Sequence, residues 1–154
     1  MRASTPYREF TFGWLIFAFM VPTYGLMIYL FVTGLGDRPL TWVPFLLITC
    51  LIAIACVLFY GMTTELTSEA LTVWFGIGLI RRKIPLTRIM SVESVKSPWY
   101  YGWGIRFIPN GMMYNISGFD TIELKFNDSD RVVRIGSKTP SVLKSEIEAR
   151  LRRS

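Results

Sequence analysis

The sequence predicts a membrane-anchored α+β protein, in which a transmembrane helical hairpin precedes a domain of seven antiparallel strands and one C-terminal helix. Three observations lead to this fold class. Two uncharged apolar stretches occupy residues 13–33 and 40–62. After Met62 the pattern changes to an alternation of apolar and polar residues, which is typical of strands with one buried face. Near the C-terminus, apolar residues recur at every fourth position, as they do on one face of a helix.

Both apolar stretches are long enough to cross a bilayer. A helix rises about 1.5 Å per residue, so roughly 20 residues span the hydrocarbon core. Only residues 34–39 connect the stretches, which favours a hairpin whose outer ends emerge on the same side. The first stretch is too long for a cleaved secretory signal and lacks a small-residue cleavage site. Cys50 and Cys56 lie in the second stretch and, six residues apart on a helix, are predicted to be packing thiols.

The distribution of basic residues predicts the orientation of the hairpin. Arg2 and Arg8 precede the first stretch, residues 81–83 follow the second, and the short loop contains Arg38 beside Asp37. Basic residues accumulate on the cytoplasmic side of membrane proteins, so we expect both termini in the cytoplasm and the loop outside. After Met62 there are 14 basic and 9 acidic residues, a net charge of +5.

Strands are predicted by β-branched and aromatic residues between turn signals. They fall at residues 63–67, 70–75, 79–84, 90–95, 113–117, 121–126 and 131–135. In the third strand, alternation places Ile80, Arg82 and Ile84 on one side and Arg81 and Lys83 on the other. The domains predicted from this pattern are residues 1–62, the N-terminal segment with the hairpin, and residues 63–154.

The last element is predicted to be a helix that closes the domain. Thr139 is a suitable N-cap, and Pro140 stands where a first helical residue tolerates proline. Leu143, Ile147 and Leu151 then share one face. We expect this stripe to pack against the open side of the sheet.

Several short segments carry a resemblance to a known family. They are Tyr101-Gly102-Trp103-Gly104-Ile105-Arg106, Pro109-Asn110-Gly111, Tyr114-Asn115-Ile116-Ser117-Gly118, Glu123-Leu124, and Arg134-Ile135-Gly136 leading to Pro140. The chain resembles, over essentially its whole length, small bacterial membrane proteins with two transmembrane helices and a pleckstrin-homology-like (bacterial PH) domain. The resemblance implies a PH-like, bent antiparallel sandwich or barrel capped by the C-terminal helix, and a location in the bacterial inner membrane.

Residues suited to catalysis are scarce. The chain contains no histidine, and both cysteines fall in the second apolar stretch. The carboxylates show no paired arrangement that would support general acid–base chemistry, and metal-ligand spacing is absent. We therefore expect a protein that is not an enzyme and that has no cofactor and no metal site.

An aromatic segment is the most unusual local feature of the sequence. Trp99, Tyr100, Tyr101 and Trp103 occur within five positions, with Arg106 shortly after them. Two prolines, at 98 and 109, bracket the region and favour a loop. One interpretation is a ledge that contacts a protein partner or the membrane. The other is that some rings fold back onto the sandwich and the rest lie at the membrane interface.

Two basic clusters are candidates for contact with anionic lipids. They are Arg81, Arg82 and Lys83, and Arg150, Arg152 and Arg153. Near an anionic leaflet each basic residue adds about 1 kcal/mol of attraction. The alternative is a solvated basic surface without a ligand, which is common at a helix C-terminus.

These features favour a non-enzymatic module that recruits a protein partner or self-associates at the membrane surface. One alternative is a module that senses lipid headgroups through the basic clusters and the aromatic segment. Another is an accessory subunit of a transporter or envelope complex, with the hairpin as its interface. Membrane lipids are expected contacts in each case, and nucleic acid is not.

Overall fold

The computed structural model describes residues 6–35 and 41–152. Within these residues the chain forms three α-helices, nine strands and two short 3-10 turns. The helices are α1 (Trp14–Thr33), α2 (Trp42–Phe59) and α3 (Pro140–Leu151). The strands are β1 (Tyr7–Phe12), β2 (Gly61–Leu66), β3 (Ala70–Phe75), β4 (Ile80–Pro85), β5 (Ile89–Lys96), β6 (Gly104–Ile108), β7 (Gly111–Asn115), β8 (Asp120–Phe126) and β9 (Val132–Gly136). The 3-10 turns are Leu86–Arg88 and Trp99–Tyr101.

The two predicted apolar helices are present, and each is long and apolar enough to cross a membrane. Their side chains are almost entirely unburied, unlike those of a core helix in a soluble protein. Phe31 of α1 stacks on Phe45 of α2, with ring centroids 4.2 Å apart. The second helix is shorter than the predicted stretch because β2 begins at Gly61.

The segment before the first helix forms a strand that the sequence analysis does not predict. β1 pairs antiparallel with β2, with Tyr7 opposite Leu66 and Phe12 opposite Gly61. This adds β1 to the edge of a four-stranded sheet, sheet A, of order β1-β2-β3-β4. The aromatic residues of β1 are typical of the interfacial flank of a membrane span, so their pattern does not indicate a strand.

The second sheet corrects the predicted arrangement of seven antiparallel strands. Sheet B has the order β5-β8-β9-β7-β6, and β7 and β9 are parallel. β6 lies in the segment predicted to be a loop. The prediction of a loop is based partly on Pro109. This proline instead lies in the turn between β6 and β7, where Asn110 has a φ of 65°. The two sheets do not close into a barrel.

The core lies between the two sheets and beneath α3. Leu143 and Ile147 are fully buried and Leu151 is half-buried, so the predicted stripe of the C-terminal helix is confirmed. α3 packs against β5, β8 and the Leu86–Arg88 turn. Side chains of both sheets complete the core, among them Met62, Leu71, Phe75, Ile122, Leu124 and Ile135.

A clasp of hydrogen bonds joins β1 to the segment between β9 and α3. The Glu9 carboxylate accepts from the Ser137 hydroxyl at 2.7 Å and from the backbone N–H of Lys138 at 2.5 Å. Lys138 Nζ donates to the Phe10 carbonyl at 3.2 Å, and the hydroxyls of Tyr7 and Thr139 lie 3.1 Å apart. The N-terminal strand therefore ties sheet A to the beginning of α3.

Candidate binding surfaces

The sandwich has one end that adjoins the helices, here called the helix-proximal end, and an opposite, distal end. β1 leads into α1 at Gly13, and β2 follows α2. The backbone N–H of Gly13 donates to the Tyr60 carbonyl at 2.9 Å, so the outer ends of the helical hairpin lie side by side. The Ser117 hydroxyl donates to the Phe12 carbonyl at 3.2 Å, which places the β7–β8 loop at the same end.

The predicted aromatic ledge follows β5 at the helix-proximal end, because the backbone N–H of Ser97 bonds to the Phe119 carbonyl of the β7–β8 loop. Two of its rings point outward: Trp99 is 76% exposed and Tyr100 is 67% exposed. The edge of the Trp99 ring meets the Tyr100 ring, with centroids 6.1 Å apart. These two rings form an exposed rim beside the helices.

The other ledge residues hold the segment against sheet B. Trp103 donates its indole N–H to the Gly118 carbonyl at 3.0 Å and packs on Phe119. The guanidinium of Arg134 lies 5.7 Å from the centroid of the Tyr101 ring. Arg106 is exposed, and its Nε donates to the Trp103 carbonyl at 3.2 Å. Tyr101 and Trp103 therefore fold back onto sheet B, and contact of Trp99 and Tyr100 with a partner or with the membrane stays a prediction.

The basic cluster of β4 is divided between two surfaces. Val73 pairs with Arg82 and Trp74 with Arg81, so the two arginines point to opposite faces of sheet A, as alternation predicts. The guanidinium of Arg81 lies 5.0 Å from the centroid of the Trp74 ring on the outer face. Arg82 lines a cleft instead. Lys83 shares the face of Arg81 by alternation, but it also lines this cleft at the free edge of β4.

This cleft, at the distal end, separates β4 from sheet B. It encloses about 270 Å³. Its floor is apolar, with Ile84, Met112, Phe126, Val132 and Val133. Four basic residues line it as well: Arg82, Lys83, Arg88 and Arg131.

Three of the four basic residues of the cleft have no acidic partner. Arg88 forms an ion pair with Asp128, with Nη2 2.7 Å from Oδ2. Arg82, Lys83 and Arg131 form no ion pair with any residue of 6–35 or 41–152. The cleft therefore combines an apolar floor with uncompensated positive charge, which suits an acidic ligand that also has apolar side chains.

The second predicted basic cluster, at the C-terminus, is not a continuous exposed surface. Arg150 is only 8% exposed, and its guanidinium forms an ion pair with Glu146 at 2.5 Å. Arg152 is exposed at the end of α3, and Arg153 lies outside the described residues. Arg150 is thus directed into the fold.

Three groups outside the cleft have a perturbed pKa with a clear cause. The hydrogen bond from Lys125 to Glu93, 2.8 Å long, lowers the pKa of the Glu93 carboxyl and raises the pKa of the Lys125 ammonium. Burial raises the pKa of the Tyr7 hydroxyl. No group of three or more acidic or cysteine side chains that would suit a metal ion is found in the described part of the chain.

Sequence reasoning missed three basic residues of these surfaces. Arg88 and Arg131 join the cleft from separate loops, and no local motif connects them with Arg82. Arg8 lies on β1, and its guanidinium is 5.6 Å from the centroid of the Trp74 ring. Because Arg8 precedes an apolar stretch, the sequence analysis uses it to predict the orientation of the hairpin in the membrane. Nothing in the sequence indicates its contact with Trp74.

Comparisons with protein-family models, with curated proteins and with solved structures found no match to this chain. The PH-like assignment therefore stays a prediction. The architecture itself is two candidate membrane-spanning helices followed by two sheets and a C-terminal helix.

Proposed function

We propose that the protein is a non-enzymatic module of the bacterial inner membrane that recruits a protein partner through its distal cleft. α1 and α2 cross the bilayer, both termini are cytoplasmic, and the PH-like sandwich lies against the membrane surface. The exposed apolar surface of the two helices supports the anchor, because such surface is stable only in lipid or against another protein. The hydrogen bond between Gly13 and Tyr60 supports a hairpin whose outer ends share one side.

The partner is an acidic protein segment. The observation that carries this proposal is the set of three basic residues around the apolar floor of the cleft that form no ion pair with any described residue. A segment that alternates acidic and apolar residues would pair its carboxylates with Arg82 and Arg131 and place its apolar side chains near Ile84 and Val133. The location of the cleft at the distal end supports a partner in the cytoplasm over a lipid headgroup.

The edge of sheet A offers a way to hold that segment. β4 is the last strand of the sheet, so the backbone groups of its outer edge have no strand partner among the described residues. Arg82, Lys83 and Ile84 of the same strand line the cleft. An extended peptide adds to such an edge through main-chain hydrogen bonds, while side-chain pockets supply specificity.

The exposed rim of the ledge has a different role in this proposal. Trp99 and Tyr100 lie at the helix-proximal end, where the headgroup region of the bilayer would begin. Tryptophan and tyrosine are enriched at that interface because their rings are apolar and their N–H and O–H groups are polar. The rim therefore rests on the membrane and limits the tilt of the sandwich.

Fluorescence anisotropy of a fluorescein-labelled peptide of alternating glutamate and valine tests the cleft. The full chain is placed in nanodiscs of phosphatidylcholine, so that the membrane carries no net charge. Arg82→Gln and Arg131→Gln should each weaken peptide binding about tenfold, equivalent to about 1.4 kcal/mol. Binding should also weaken with added salt, because the contacts are ionic.

Arg81→Gln is the matched control, because it removes the same charge from the neighbouring residue on the opposite face. It should leave peptide binding within a factor of two. Equal losses for Arg81→Gln and Arg82→Gln would mean that the peptide responds only to the net charge of the protein. That result, or a wild-type protein that does not bind the peptide, contradicts the proposed site.

A further inference from the structure

The turn between β3 and β4 extends alongside the apolar helix α2. A Cβ atom on Gly76 would lie only 2.3 Å from the Val57 carbonyl oxygen and 2.5 Å from that of Leu58. The turn backbone therefore packs directly against the last turn of the helix, and Gly76 adopts a φ of 51° there. Only a glycine permits this close approach.

The same turn presents two apolar side chains outward. Ile77 is 63% exposed and Leu79 is 74% exposed. With Ala53, Ile54, Val57 and Leu58 of α2 they line a groove of about 260 Å³, and none of the described residues that border it is polar. Ala53 is six residues before the end of α2, so the groove extends about 9 Å along the helix. With α2 in the bilayer, as in the proposed function, a groove along the last turns of this helix faces acyl chains.

A pair of guanidinium groups lies on the outer face of sheet A, above the groove. Arg81 is two residues after Leu79, which corresponds to about 6.8 Å along a strand. The guanidinium carbons of Arg81 and Arg8 lie 5.0 Å and 5.6 Å from the centroid of the Trp74 ring. Neither arginine has an ion-pair partner in the parts of the chain that the structure describes.

Two like charges on one indole ring attract an anion. Each guanidinium presents a planar fork of donors that matches the oxygens of a phosphate. Because the apolar groove begins two residues away, the anion that fits this site carries an apolar chain.

We propose that the β3–β4 turn and α2 form a binding site for one phospholipid with an anionic headgroup. One acyl chain occupies the groove between α2 and the turn, and the headgroup lies on Arg81, Arg8 and Trp74. The inference rests on the membrane location of α2 in the proposed function, but it uses neither the distal cleft nor its partner. It gives Arg81 a role separate from that of Arg82.

Native mass spectrometry of the full chain in mild detergent tests this site. The protein is mixed with equal amounts of phosphatidylglycerol and phosphatidylcholine that carry the same acyl chains. The wild-type chain should retain phosphatidylglycerol in preference, with one molecule bound. Arg81→Gln and Arg8→Gln should each lower the retained phosphatidylglycerol about fivefold. Leu79→Ser should lower the retention of both lipids, because it removes an apolar wall of the groove.

Arg82→Gln is the matched control, because it should weaken peptide binding in the cleft about tenfold and leave lipid retention unchanged. Equal retention of the two lipids by the wild-type chain, or an unchanged preference in Arg81→Gln, would overturn the lipid site. Displacement of the lipid by inorganic phosphate at the same concentration would also overturn it, because the acyl chain would then contribute nothing. A full chain that does not float with liposomes would instead refute the membrane anchor of the proposed function.

Discussion

The two ends of the sandwich expose different sets of side chains, although the distal end also exposes one aromatic ring, that of Phe107. At the helix-proximal end the exposed side chains are mainly apolar or aromatic, and they include Phe12, Trp14, Ile77, Leu79, Trp99 and Tyr100. At the distal end basic residues surround a cleft. Arg81 and Arg82 are neighbours in the sequence, yet strand alternation gives one to the outer face and the other to the cleft. Consecutive basic residues in a strand therefore belong to two different surfaces, and each residue should be tested separately.

The largest expected effect on stability comes from the core that both ends share. Ile147 is fully buried on the inner face of α3, so Ile147→Asp places an unpaired charge in the core. We expect the free energy of unfolding to fall by about 3 kcal/mol or more. Val142→Asp, at an exposed position of the same helix, should change it by less than about 0.5 kcal/mol. Urea denaturation of the full chain in detergent micelles, followed by tryptophan fluorescence, measures both.

Equal stability of these two variants would show that α3 does not close the sandwich. Both ends of the molecule should otherwise respond together to Ile147→Asp, with loss of peptide binding and of lipid preference. The full chain is needed for this experiment, because a fragment that begins at Thr63 would lack β1 and the first residues of β2.

The second prediction concerns the clasp between β1 and the segment before α3. Glu9→Ala removes the acceptor for Ser137 and for the Lys138 backbone, and hydrogen bonds to a charged group contribute about 1.5–3 kcal/mol each. Because the site is partly exposed, we expect a loss of about 2 kcal/mol in the same denaturation experiment. Glu65→Ala is the control: Glu65 lies on neighbouring β2 and forms no ion pair among the described residues. A loss no larger than that of the control would mean that the clasp adds nothing to stability.

Local periodicity explains which features the sequence predicts. The two apolar helices, the buried stripe of Leu143 and Ile147, and the opposite faces of Arg81 and Arg82 each follow from a repeat within one element. β1 and β6 were missed because their pairing partners, not their own patterns, make them strands. The cleft was missed for the same reason, since Arg88 and Arg82 line one cleft only after the two sheets have packed.

The third and smallest effect separates the two roles within the aromatic ledge. Trp103 packs on Phe119 and donates to the Gly118 carbonyl, whereas the Trp99 ring is mostly exposed. Trp103→Ser should therefore lower the free energy of unfolding in detergent micelles by about 1 kcal/mol, and Trp99→Ser by less than about 0.5 kcal/mol. Comparable losses for both variants would place Trp99 among the rings that support sheet B. The membrane-facing rim would then be restricted to Tyr100, and the contrast between the two ends would rest on the β3–β4 turn and the residues that flank the helices.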